Sequence, residues 1–145
     1  MELESGYQAL QVWDQQAVAS APMALKVWLG LMGVSVAFAL LFIKRSGARY
    51  ILTSVVLGLL VTKFIAPFFA LTIYSGFVAL THVCCWPLGL YGLWRDGKGR
   101  SVSKSYFVWS IWISLIFFIS LIFDVRDAFK YLFFLLFESE IHLIC

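Results

Sequence analysis

The sequence predicts an all-α, polytopic membrane protein: a four-transmembrane-helix bundle with N-terminal and C-terminal segments that are extramembrane or interfacial. Of its 145 residues, 62% are hydrophobic and only 13% are charged, a composition far from that of soluble domains. Four apolar stretches each approach the roughly 20 residues that a helix needs to cross a hydrocarbon core of about 30 Å. The length allows one small membrane domain, residues 1–145, and little else.

Residues 1–21 are expected to form a segment outside the membrane. They contain acidic residues but no lysine or arginine, so they lack the basic start of a secretory signal peptide. The first transmembrane helix is expected over residues 23–43. Pro22 suits a helix start, where its missing N–H costs nothing, and Lys44 and Arg45 close the apolar run.

The apolar stretch from Tyr50 to Trp94 is too long for one helix, so it predicts two, residues 50–73 and 77–94. Two breakpoints compete. Either Ser75-Gly76 is the turn and Pro67 only kinks the helix, which membrane helices tolerate, or Pro67 ends the helix and an interfacial connection leads to Ser75. We favour the turn, because it gives both helices adequate length.

The fourth transmembrane helix is expected over residues 106–123. The charges that begin at Asp124 then mark a return to water. The apolar run over residues 131–137 is too short to span a bilayer. Residues 124–145 are therefore expected to form an outer interfacial segment, with a helix that lies on the membrane surface.

Basic residues predict the orientation. They gather in the connections 44–49 and 95–105, whereas the N-terminal segment is acidic and the second connection is nearly uncharged. Short basic loops stay in the cytoplasm, so both termini should lie outside; the reverse orientation would export seven basic residues. These seven residues are Lys44, Arg45, Arg49, Arg95, Lys98, Arg100 and Lys104. The small size and the lack of sorting signals favour a bacterial inner membrane.

Small residues predict where helices pack, because apolar area alone gives helices in lipid little reason to associate. Each predicted helix carries such residues at helical spacing. They are Gly30 and Gly33 on the first helix, Ser54 and Gly58 on the second, Ala79 and Gly89 on the third, and Ser110 and Ser114 on the fourth.

Lys63 and His82 form a candidate intramembrane polar site. With the turn at Ser75-Gly76, both lie about 20 Å from the cytoplasmic edge on neighbouring helices. Two cationic groups that meet in a low dielectric cannot both stay protonated cheaply, which would make the site proton-responsive. If Pro67 ends the helix instead, Lys63 simply snorkels to the outer interface.

A candidate charge cluster lies at the outer surface, formed by Lys26, Asp124, Arg126 and Asp127. It is either a solvated helix end with local ion pairs or a docking point. Neither the second, third nor fourth predicted span contains a carboxylate, so the sequence does not supply an acidic partner for Lys63 or His82.

No metal or other cofactor is expected. His82 and Cys85 could share a helical face, but a zinc or copper site needs three or four converging ligands. His142 and Cys145 lie in the tail, beyond the last predicted span. Haem held between membrane helices usually needs a pair of histidines, which a single buried histidine could supply only across a symmetric dimer.

The leading functional interpretation is a non-enzymatic small integral membrane protein. It would act through helix-face contacts in the lipid bilayer, as a homo-oligomer or as an accessory subunit of a membrane complex. The alternative is a proton-linked transporter, channel or proton sensor centred on Lys63 and His82. A membrane haem carrier or enzyme is a distant third, since no complete catalytic set is visible, and the modest charge of +3 gives no indication of nucleic-acid binding.

Overall fold

The computed structural model describes residue 12 and residues 19–69, 73–97 and 103–141. These residues form four long helices, all of them long and apolar enough to cross a membrane. The prediction of an all-α protein with four such helices is confirmed. In chain order they are α1 (Met23–Ala37, continued by a 3-10 helix over Phe38–Phe42), α2 (Ser46–Leu60, continued by a π-helix over Val61–Ile65 and a last turn over Ala66–Phe68), α3 (Ser75–Gly97) and α4 (Lys104–Ile141).

Helix α2 ends earlier than the favoured interpretation of the sequence expected. Its helical structure stops at Phe68, and α3 begins at Ser75, so Ser75-Gly76 belongs to the first turn of α3 and is not the turn between two helices. That prediction was wrong. Pro67 has no N–H to donate to the carbonyl of Lys63, and its ring crowds the preceding turn, where the chain widens into a π-helix.

Helix α4 continues well past the point where the sequence placed its end. A boundary was expected at Phe123, but the helix runs without a break through Asp124 to Ile141. Charged side chains do not break a helix, and no glycine or proline occurs between residues 104 and 141. At 38 residues and a rise of 1.5 Å per residue, α4 is about 57 Å long, longer than a bilayer core is thick.

Helices α2 and α3 pack closely along faces of small residues. A Cβ atom added at Gly89 would lie 2.7 Å from the Ser54 hydroxyl, and one added at Gly92 would overlap the side chain of Tyr50. Because glycine has no side chain, the two backbones approach each other closely there. The main core of α2, α3 and α4 is centred on Ile51, Ile113 and Phe117, each with no exposed surface.

Helix α1 is attached to α4 by tryptophan side chains. The indole N–H of Trp109 donates to the carbonyl oxygen of Ser35 at 3.0 Å, and that of Trp112 donates to the Ser35 hydroxyl at 2.9 Å. Further along, Trp28 of α1 donates to the Ser120 hydroxyl of α4 at 3.1 Å. The two helices are therefore antiparallel, joined by directional bonds between Trp28 and Ser35, along about half of the length of α1.

The α1–α2 connection and the α3–α4 connection lie at the same end of the protein. Asp96, near the end of α3, accepts hydrogen bonds from Ser46 at the start of α2 and from Tyr106 at the start of α4. The helix ends that border the two basic connections of the sequence are thus brought together, and we refer to this end as the basic end.

Candidate functional site

His82 and Asp124 meet between α3 and α4. Nδ1 of the imidazole lies 3.1 Å from Oδ2 of the carboxylate, and the two side chains are 25% and 21% exposed. His82 is seven residues after the start of α3, so it lies about 10 Å from that end of the helix. Asp124 was expected close to the outer surface with only a modest inward reach. Because α4 stays helical at this point, the carboxylate instead points back to α3.

A stack of aromatic rings supports the imidazole. The ring of His82 lies 4.1 Å from the ring of Trp86 with 18° between their planes, and Trp86 in turn stacks on Phe117 at 4.5 Å. Trp86 is 4% exposed and Phe117 is fully buried, so the stack is anchored in the core. The stack and the contact with Asp124 therefore fix the imidazole in the space between α3 and α4.

Lys63 is not part of this site. It is an exposed residue of the π-helical segment of α2, five residues before the last helical residue, and no ion pair among the described residues includes it. Its predicted meeting with His82 depended on the turn at Ser75-Gly76, which the structure does not have. The site therefore consists of His82 and Asp124. Asp124 is an acidic partner that the sequence analysis did not identify for His82.

The four residues of the predicted outer charge cluster make three separate contacts. Asp124 pairs with His82, while Arg126 donates from Nε to the neighbouring Asp127 at 3.1 Å. Lys26 donates from Nζ to the backbone carbonyl of Ala19 at 2.6 Å. Only Asp124 therefore connects this group of charges to the interior of the protein.

The predicted packing residues have different surroundings. Ser54, Ala79 and Gly89 are buried. Gly89 packs against Ser54 at the α2–α3 interface, and a Cβ added at Gly58 would make an ordinary contact with Thr81. By contrast, a Cβ added at Gly30 or Gly33 would meet nothing within 4 Å, so the structure leaves their packing role a prediction. Ser110 and Ser114, on α4, each donate to a carbonyl of their own helix and line an open groove beside α3.

Sequence reasoning missed the polar cluster around Asp96, which is only 4% exposed. Its carboxylate accepts from the hydroxyls of Ser46 and Tyr106, at 2.5 and 2.8 Å, and the guanidinium of Arg45 lies 5.3 Å from the centre of the Tyr106 ring. Asp96 follows Arg95 in the basic connection, so the sequence suggests a solvent-exposed charge there. One feature could have identified it: Asp96 is an acidic residue surrounded in the sequence by basic ones, a position suited to an anion with a structural role.

No group of three histidine, cysteine, aspartate or glutamate side chains within the described ranges could hold a metal ion. Cys84 and Cys85 are free thiols on α3, the first exposed and the second half-buried. His142 and Cys145, named above as other candidate ligands, lie outside the described residues.

Comparison with known proteins found no matching family model, no similar curated protein and no similar solved structure.

Proposed function

We propose that this chain is a non-enzymatic integral membrane protein, whose four helices cross a bilayer and which acts through contacts of its helix faces. The helices support this by their dimensions. The apolar spans, Met23–Phe42, Ser46–Phe68, Ser75–Gly97 and Lys104–Phe137, contain between 20 and 34 residues, and about 20 suffice for a crossing. Exposure of their large aliphatic and aromatic side chains to water would be unfavourable in free energy, whereas lipid tails would solvate them well.

The proposed location is a cell inner membrane, with the basic end in the cytoplasm and both termini outside. The two basic connections lie together at one end, which fits the preference of short basic loops for the cytoplasm. Reporters fused to each terminus test this orientation: a reporter active only outside the cytoplasm should work at both ends. Activity of a cytoplasmic reporter at either terminus would contradict it.

The proposed mode of action is supported by the face of α1 that contains Gly30 and Gly33. Trp28, Met32 and Ser35 form the side of α1 that packs against the rest of the chain. At 100° per residue, Gly30 and Gly33 lie on the opposite side, with open space around both. Where the chain packs α2 on α3, it uses glycines in the same way as a close-contact surface. We propose that a second copy of the chain, or a partner subunit, packs on the glycine face of α1.

A matched pair of variants tests the homo-oligomer. Gly33→Phe places a ring in the proposed contact face, and Val56→Phe places the same ring at a half-exposed position of α2. Each variant is purified in a mild detergent, and its assembly state is measured by light scattering and by single-molecule subunit counting in bilayers. We expect Gly33→Phe to dissociate the assembly and Val56→Phe to leave it intact. A monomeric wild-type chain under both conditions would exclude the homo-oligomer and leave the accessory subunit.

A second candidate function, a proton-linked transporter, channel or proton sensor, is favoured by the contact of His82 with Asp124. A titratable pair between membrane helices is a common feature of such proteins, since charges there are costly unless they are paired. Of the charged groups on nearby turns, Asp127 accepts from Arg126 and Lys26 donates to a backbone carbonyl. His82 and Asp124, by contrast, face each other from two different helices.

Proton flux into liposomes that contain the purified protein tests this second candidate. If the pair carries protons, Asp124→Asn should abolish the flux, because an amide cannot take up the proton. Lys63→Met should leave it unchanged, since Lys63 is exposed and lies away from the pair. Absence of flux from wild-type protein with verified insertion would exclude transport, and equal loss in both variants would refute the assignment to the pair.

A further inference from the structure

An open groove of about 700 Å³ runs between α3 and α4 and begins at the basic end. Its walls are mainly aromatic and aliphatic side chains, several of them more than 45% exposed. The lining that matters here is Leu90 and Trp94 on α3, and Phe107, Ile111, Ser114 and Phe118 on α4.

The groove is suited to a hydrocarbon chain. The two serines in its wall already use their hydroxyl hydrogens: Ser110 donates to the carbonyl of Phe107 at 2.8 Å, and Ser114 donates to the carbonyl of Ser110 at 2.7 Å. Neither hydroxyl hydrogen is left for a polar ligand. The remaining surface offers dispersion contacts to an apolar one.

The length of the groove matches one leaflet of a bilayer. From Phe107 to Phe118 the α4 wall rises by about 16 Å, and from Gly97 back to Leu90 the α3 wall rises by about 10 Å. Half of a hydrocarbon core is about 15 Å thick. A transmembrane helix of a partner would need a contact surface about twice as long, whereas one acyl chain fits this length.

A basic residue continues the α4 wall of the groove toward the basic end. Lys104 is exposed and precedes Phe107, Ile111 and Phe118 by three, seven and fourteen residues, so it lies on the same stripe of α4 as the groove wall. The same end of the protein carries further exposed cations, whereas the carboxylate of Asp96 is buried and hydrogen-bonded. Trp94, an amphipathic ring of the kind common at membrane interfaces, lines the α3 side.

We propose that this groove binds one anionic phospholipid, with its phosphate beside Lys104 and an acyl chain along Phe107, Ile111 and Phe118. Positive charge at the basic end and apolar walls of one-leaflet length fit the two parts of such a lipid. Basic pockets between transmembrane helices on the cytoplasmic side are typical sites for anionic headgroups. The inference rests on the proposed membrane insertion, and it assigns a ligand that the proposed contact face of α1 does not require.

Native mass spectrometry of the full-length chain in a neutral detergent tests this site, with phosphatidylglycerol and phosphatidylcholine as the two probes. We expect one phosphatidylglycerol to be retained in preference to phosphatidylcholine. Lys104→Gln should weaken phosphatidylglycerol binding about fivefold, the equivalent of ~1 kcal/mol for one basic residue near an anionic surface, and leave phosphatidylcholine unaffected. Lys44→Gln is the matched control, since it removes one charge from the same end but from the α1–α2 connection, away from the stripe of α4 that forms the groove wall, and should change binding little.

A second variant keeps the test independent of charge. Ser114→Trp fills the groove and should prevent retention of either lipid, with helix content checked by circular dichroism. Equal binding of the two lipids, or equal weakening by Lys104→Gln and Lys44→Gln, would overturn the proposal. A dimer that is lost in Ser114→Trp would assign the groove to a second copy and would overturn it as well.

Reconstitution separates failure of this inference from failure of the membrane proposal. The chain is mixed with vesicles of phosphatidylcholine alone and with vesicles that also contain phosphatidylglycerol, and insertion is measured by flotation after alkaline washing. A chain that inserts into neither kind of vesicle contradicts the proposed function itself. A chain that inserts into both but shows no lipid preference in the binding measurement contradicts the lipid site alone.

Discussion

The imidazole of His82 and the carboxylate of Asp124 are joined across the α3–α4 interface at 3.1 Å, although 42 residues separate them in the sequence. The contact lies about 21 Å along α3 from Asp96, whose carboxylate also binds between helices. Helices α3 and α4 are therefore joined by polar contacts at two levels, with the Trp86–Phe117 stack between them. One of these contacts lies at the basic end, and the other lies near the opposite end of α3.

Asp124→Asn should weaken the contact between α3 and α4. The variant replaces the carboxylate with an amide, so His82 loses a charged hydrogen-bond partner and gains a neutral one. Hydrogen bonds to charged groups exceed neutral ones by about 1 kcal/mol, and partial exposure of both side chains keeps the effect at or below that value. Unfolding in detergent should therefore show a loss of up to about 1 kcal/mol.

Asp127→Asn is the control for that experiment. Asp127 lies one turn further along α4 and accepts from Arg126, its neighbour on the same helix. Because this ion pair is partly exposed and lies within α4, its loss should change stability by only about a few tenths of a kcal/mol. Equal losses in the two variants would contradict the interpretation of the His82 contact as a bond that holds α3 to α4.

Helix existence could be predicted from the sequence, and side-chain partners could not. Apolar runs of sufficient length define the four helices whatever their neighbours are, and the proline at position 67 was recognised as one of two breakpoints. The contact of His82 with Asp124 depends on the relative positions of α3 and α4 and on an α4 that stays helical beyond Phe123. Neither is encoded in local hydropathy, because both follow from packing between helices.

Gly92→Ala should destabilise the fold, whereas Gly33→Ala should not. An added Cβ at Gly92 would overlap the Tyr50 side chain, and overpacking of this kind typically costs about 1–3 kcal/mol. At Gly33 the added methyl would meet nothing within the chain, and alanine is the better helix former by up to about 1 kcal/mol. Unfolding in mixed detergent micelles measures both variants. Similar losses in the two would contradict the close approach of α2 and α3 at Gly92.

Ser35→Ala should loosen α1 from α4. The Ser35 hydroxyl accepts from Trp112 and donates to the carbonyl of Leu31 at 2.7 Å, so its removal leaves the Trp112 indole without this acceptor. Interhelical hydrogen bonds in membrane proteins contribute roughly 0.6 to 1.7 kcal/mol. We expect a loss in this range and faster proteolysis within α1. Trp109→Phe removes the parallel bond to the Ser35 carbonyl and should produce a similar loss; full stability of both variants would show that these bonds do not hold α1.

The hydrogen-bond partners of Trp109 and Trp112 could not be predicted from the sequence. Trp109 and Trp112 lie near the predicted cytoplasmic interface, where an indole is usually read as a membrane anchor. The structure instead directs both indole N–H groups to one serine of α1. Ser35 is 3% exposed and carries no motif, so its role as a shared acceptor follows only from the position of α1 against α4.

Ser46→Ala and Tyr106→Phe should be coupled through Asp96. Each removes one donor from the same buried carboxylate, and a hydrogen bond to a charged group contributes about 1.5–3 kcal/mol. Because both donors bind one carboxylate, the strength of each bond depends on whether the other is present. The loss of stability in the double variant should therefore differ from the sum of the two single losses, by an interaction energy of about 0.5–3 kcal/mol. Purely additive losses in a double-mutant cycle would mean that Asp96 does not join α2 to α4.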